Sequence, residues 1–149
     1  MNISPIILSS LNSNLEIIQE QELLELNEKS QIYGLTLNKE DVKEIINSRD
    51  NTLKSYGRIE LDIGITKMII ENLYKSQYTD KDDYVYSIND LHEVFYYLKN
   101  DTLDQISDIE VIDIIDEVYN NCSGRIDIVQ EKCEEFAKNY RWKLASEIL

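Results

Sequence analysis

The chain has 149 residues, 42% hydrophobic and 30% charged, with four glycines and one proline, a composition that fits one folded helical domain spanning residues 1–149 and disfavours an all-β fold of many hairpins. Fifteen Lys and Arg against twenty-nine Asp and Glu give a net charge of −14, a field that repels phosphate backbones and anionic headgroups, so neither nucleic acid nor a membrane surface is expected as a partner. Two cysteines are fewer than a stapled secreted fold would carry, and the cytoplasm is the expected compartment.

The N-terminus, MNISPIILSSLNSNL, has a short apolar run with no basic residue before it, and no stretch reaches the roughly 18 to 20 apolar residues of a membrane span. Neither an export signal nor an anchor is expected, and residues 1–13 read as a loosely ordered arm. Residues 15–31 carry Leu15, Ile18, Leu23, Leu24 and Leu26 in an irregular stripe that Gly34 stops, which predicts a first helix. In LNKEDVKEIINSRDNTLKSYG, Asn38 is a candidate N-cap with Asp41 at the third helical position. Val42, Ile45, Ile46, Leu53 and Tyr56 share one face before Gly57 closes the helix.

IELDI alternates like a strand but has no evident pairing partner, so it reads as an extended lead-in to a helix from Ile65 to about Ser76. Ser87 then caps a helix in which Leu91, Val94, Phe95 and Leu98 recur at helical spacing. Ser107 and Glu110 have the spacing of a capping box, with Ile106 and Val111 as its staple and Val111, Ile114, Ile115 and Val118 as the buried stripe. From Arg125, the series Ile126, Val129, Cys133, Phe136, Ala137 and Tyr140 predicts a last long helix. Six or seven amphipathic helices joined by short turns imply an all-α bundle or orthogonal array.

Residues 80–119 hold twelve acids and two lysines, so any attraction to a cationic partner centres there. DQISDIE invites comparison with half of a calcium loop. With Glu110 at the twelfth position, however, Lys99 occupies the first, Leu103 the fifth and Asp104 the sixth, where a ligand oxygen, a ligand oxygen and glycine belong. Asp113, Asp116 and Glu117 read instead as a solvated face that can meet a basic protein surface, with a weak divalent-cation site as the lesser reading.

His92, the one histidine, lies off the Leu91/Phe95 stripe and reads as structural or exposed; no H-x-x-x-H or C-x-x-C spacing accompanies it. Cys122, before the last helix and near Arg125, could form a nucleophile and base pair with His92, though no oxyanion loop or orienting group supports this. Arg49 falls on an apolar stripe, where a charge must snorkel or pair. The readings are an internal ion pair or, with Arg58, an anion site. Ten tyrosines, with Tyr84, Tyr86, Tyr96 and Tyr97 close to Phe95, have acidic rather than basic neighbours and so suit packing better than base stacking.

The motifs NEKSQIYGLTL, GRIE and FYYLKNDTLDQISDIEVI resemble those of a family of small acidic proteins from clostridia-like bacteria, domain of unknown function six-three-two-three. The resemblance runs from about Asn27 to Arg141, and Arg49, Gly57, Arg58 and the Lys99-Asn100 pair fall at positions of its pattern. It implies a one-domain bacterial cytoplasmic protein and brings no catalytic residue, cofactor or partner with it. The expectation is therefore a non-catalytic interaction or regulatory module without cofactor or metal. The alternative is a ligand-binding protein or enzyme with a pocket around Arg49, Arg58, His92 or Cys122.

Overall fold

Helix starts in the computed structural model, which describes residues 4–148, follow from local capping chemistry. Helix α1 (Pro5–Glu25) begins where the Ser4 hydroxyl accepts from the Ile7 N–H at 3.2 Å and proline occupies the first turn. The segment read as an arm is therefore, from Pro5, the opening of α1; residues 1–3 lie outside the described residues. A short α2 (Asn27–Ser30) and a 3₁₀ turn, Gln31–Tyr33, end at Gly34 in the left-handed region (φ 75°). Asn27 clasps the next segment by both amide atoms, accepting from the Leu37 N–H and donating to the Leu37 carbonyl, each at 2.8 Å.

Helix α3 (Lys39–Ser55) carries a complete capping box: Asn38 accepts from the Asp41 N–H, and Asp41 accepts in return from the Asn38 N–H. Its far end is a Schellman motif, with Gly57 at φ 66° and the Arg58 N–H bonded to the Leu53 carbonyl at 2.8 Å. IELDI pairs with no strand; it is an irregular loop that bends at Asp62 and leads into α4 (Gly64–Lys75), with Ile63 at φ −107°, ψ 24° rather than extended. Helix α5 (Tyr84–Asp101) starts three residues before Ser87, which is buried inside it. The start is set by a 3₁₀ turn, Lys81–Asp83, that Asp80 caps.

Helix α6 (Asp108–Asn121) is capped by Ser107, whose hydroxyl accepts from the Glu110 N–H at 3.3 Å; no bond returns from the Glu110 carboxylate, so half of the expected box forms. Its buried stripe is Val111, Ile112, Ile115 and Tyr119, rotated from the expected one because α6 must face α4, α5 and α7 together. Ile114 and Val118 are half-buried. Helix α7 (Ile126–Ile148) buries Val129, Cys133 and Ala137, the stripe read from sequence.

All described elements are helices or turns, and α5 is their centre, packed by α3, α4, α6 and α7. Tyr84, Ile88, Leu91, Phe95, Tyr96 and Leu98 of α5 are buried among Val42, Ile45, Ile70, Leu73, Val111 and Val129 from its neighbours. Each such side chain, truncated to alanine, is worth about 2–5 kcal/mol. This ring explains His92. A helix with one neighbour would leave that side wet, but α5 has four, and His92 is 0% exposed rather than at the surface.

Candidate functional site

The residues singled out from sequence do not converge. Arg49 is 3% exposed and lies at the base of the IELDI loop: its guanidinium donates to the Glu60 carbonyl at 2.6 Å, the Asp62 carbonyl at 2.7 Å and the Asp50 carboxylate at 2.9 Å. Gln19 donates to the carbonyl between them, Leu61, at 3.0 Å. Three consecutive loop carbonyls are thus satisfied by side chains of α1 and α3, which answers the need of an unpaired extended segment.

Arg58 is bonded to both carboxylate oxygens of Asp104 at 2.8 Å and lies 5.8 Å from the Tyr96 ring centroid. Lys99, buried at the end of α5, donates to the Ile106 carbonyl at 2.6 Å and pairs with Asp108 at 2.9 Å, at the N-terminus of α6. Arg49 thus ties the IELDI loop to α3, Lys99 ties the loop after α5 back to α5, and Arg58 joins the two loops beside Tyr96. Burial, reinforced by the Glu60 carboxylate, holds the Tyr96 hydroxyl well above its ordinary pKa, and the Arg49 charge pulls the other way.

His92 Nε2 is 2.7 Å from the Thr66 hydroxyl, with both groups buried, and Nδ1 has no hydrogen-bond partner. Burial first, then the Arg49 charge, depress its pKa to about 3. Cys122 is the half-buried C-cap of α6, its N–H bonded to the Val118 carbonyl. Arg125 is exposed and lies 3.8 Å from Asp127. On the α6 face, Asp113 and Glu117 are exposed. Asp116 is half-buried, takes a hydrogen bond from Asn120 at 3.2 Å, and has its pKa raised by burial.

What the helices do enclose is a trough. Between α3 and α5 a hollow of about 690 Å³ lies against Glu44, Asn47, Ser48, Asn51, Thr52, Ser55 and Tyr56 from α3 and its cap, with Asn89 and Glu93 of α5 as its floor. A second hollow of about 220 Å³ shares Tyr56 and Glu93 and adds Val94, Tyr97, Gln130, Cys133 and Glu134. Together they make one groove along α5.

The chemistry of this groove is uniform. Its lining holds three carboxylates, three asparagines, a glutamine and several hydroxyls, and no Lys or Arg. Asn89 lines the first hollow, and its Oδ1 is buried without a hydrogen-bond partner. Burial, then Glu93 and Asp101, raise the Tyr56 hydroxyl; burial and Asp101 push Tyr97 up to about 12. Both phenols stay protonated and neutral at physiological pH. Burial pushes the Cys133 thiol up to about 12, so it too is uncharged.

A family model matches residues 22–146, most of the chain. The chain belongs to that family, DUF6323, a family of unknown function. No curated protein and no solved structure matches it. The family's matched span contains every residue of the trough and of the Arg49, Arg58 and Lys99 lattice, and begins within α1. Among the described residues, no helix is long and apolar enough to cross a membrane, and no group of three or more His, Cys, Asp or Glu is placed to hold a metal ion.

Sequence reasoning passed over the trough. Its signal was present as uncharged polar residues at helical spacing, Asn47, Ser48, Asn51, Thr52 and Ser55, interleaved with Arg49, Asp50 and Lys54. Those residues become one wall of a hollow only where α3 packs beside Asn89 and Glu93 of α5.

Proposed function

We propose that the protein is a non-catalytic interaction module that takes a cationic segment of a protein partner into the trough between α3 and α7. The observation that carries the reading is the lining: Glu44, Glu93 and Glu134 around a floor of amides and hydroxyls, with no Lys or Arg among them. Lysine and arginine side chains bring the complementary charge and the N–H donors, and Tyr56 and Tyr97 offer ring faces to a cation. Asn89, Glu93 and Tyr97 belong to the acidic block 80–119, which supplies the wider attracting field.

In this reading Asp113, Asp116 and Glu117 act at a distance, speeding encounter without forming the seat. Arg49 and Arg58 are structural, since their donors are engaged within the chain. The test is isothermal titration with a hexa-arginine peptide at low and physiological salt. Neutralising Glu44→Gln, Glu93→Gln and Glu134→Gln together should weaken binding about tenfold, near 0.5 kcal/mol for each charge, with the melting temperature preserved. The triple variant Asp113→Asn, Asp116→Asn, Glu117→Gln should lose much less. The reverse ranking would move the partner surface to α6 and end the trough reading.

A further inference from the structure

We infer that a hollow between the start of α5 and the α6–α7 turn binds a small aliphatic diamine as its doubly protonated cation. This site is separate from the trough and stands or falls without it. The hollow has a volume of about 290 Å³, and no Lys or Arg lines it. Asp80 and Asp83 reach it from the turn before α5, and Asp127 from the first turn of α7. Tyr78, Tyr86 and Tyr119 contribute rings.

Ser87 is the residue that points to a ligand. It is 5% exposed, lines the hollow, and its hydroxyl makes no hydrogen bond among the described residues. A hydroxyl inside a helix ordinarily bonds a carbonyl one turn back, as Thr102 does to Leu98 at 2.6 Å. Asp83 repeats the pattern: it is the N-cap residue of α5, yet its side chain caps nothing. A hydroxyl and a carboxylate thus line one space without using their usual partners in the chain.

The lining selects the occupant. Three carboxylates attract a cation, and Arg125, exposed and 3.8 Å from Asp127, offsets only part of that charge. No group of three acids among the described residues is placed to hold a metal ion, so the fitting cation carries its charges apart, one toward each acidic element. Burial above all, then the Asp83 charge, hold the Tyr119 hydroxyl above its ordinary pKa against the pull of its bond with Thr79. That phenol stays neutral, and the three rings offer faces to an ammonium and apolar surface to methylenes. An ammonium bearing N–H groups supplies the donor that Ser87 lacks; a quaternary one does not.

The test is an NMR titration of the ¹⁵N-labelled full chain with putrescine at physiological salt. Saturable shifts are expected in residues 78–87 and 119–128, with a Kd of about 1 mM or tighter. Ser87→Ala removes an unpartnered hydroxyl from a helix, so it should keep or raise the melting temperature while weakening putrescine about tenfold. Asp83→Asn with Asp127→Asn should weaken it about fivefold. Butylamine, with one charge, and tetramethylammonium, with no N–H, should each bind about tenfold more weakly than putrescine. The triple variant Glu44→Gln, Glu93→Gln, Glu134→Gln should leave putrescine binding within about twofold, which separates this site from the trough. Shifts scattered over every acidic surface without saturation would overturn the proposal. So would butylamine or tetramethylammonium matching putrescine, or Ser87→Ala binding it as the parent does.

Discussion

His92 shows how a single residue takes its chemistry from its neighbours. Sealed inside α5 and bonded to Thr66, it stays neutral in the folded chain down to about pH 3, while in the unfolded chain it protonates near 6.5. Its contribution to stability is therefore complete above pH 6.5 and is lost progressively as pH falls toward 3, at about 1.4 kcal/mol per pH unit. The stability difference between the parent and His92→Gln, from urea denaturation between pH 7 and pH 4, should fall with pH; a constant difference would contradict the buried neutral state. Nothing in the sequence around His92 announces its burial. The residue stands off the Leu91/Phe95 stripe, and only the four neighbours of α5 bring it inside.

Among the elements, helix ends carry the local stability. Schellman bonds close α3 at Gly57, α5 at Leu103 and α6 at Ser123, and the 3₁₀ turn after α2 ends in the same way at Gly34. Leu103 holds φ 55° with its side chain 71% exposed, strain without compensating burial. Leu103→Gly should raise stability by about 0.5–1 kcal/mol in urea denaturation. Gly124 is the opposite case: it sits at φ 75°, and an added Cβ would lie 2.9 Å from the Tyr78 carbonyl. Gly124→Ala should cost about 2 kcal/mol or more, against about 1 for Gly34→Ala, where the same atom meets nothing.

The IELDI loop depends on Arg49 in the same local way. Arg49→Met should destabilise by on the order of 2–4 kcal/mol and raise amide exchange across residues 58–63 before the rest of the chain, because two carbonyls lose their donor. Uniform protection would contradict that role. Much at this scale was legible beforehand, since the Asn38/Asp41 box, the Gly57 stop and the α7 stripe all rest on local spacing. Two starts were not. Ser4-Pro5 opens α1 without an apolar stripe to mark it, and Ser87, a good cap by composition, lies inside α5 because the turn at Lys81–Asp83 starts that helix earlier.

The whole molecule is a body of strong negative charge, with a polar acidic trough as its proposed place to meet a partner. That trough does not follow from a local pattern. The trough needs the polar side of α3, the exposed stripe of α5 and part of α7 together, whereas the acidic cluster on α6 was visible in the sequence and places only Asp116 beside a hollow, a small apolar one with Ile69, Leu73 and Leu91. The most direct measurement is an NMR titration of ¹⁵N-labelled protein with a hexa-arginine peptide at low salt. The account predicts that the side-chain amides of Asn47, Asn51 and Asn89 and the backbone of residues 89–97 shift first and saturate together. Shifts confined to residues 108–121 of α6, or scattered over every acidic surface without saturation, would contradict it.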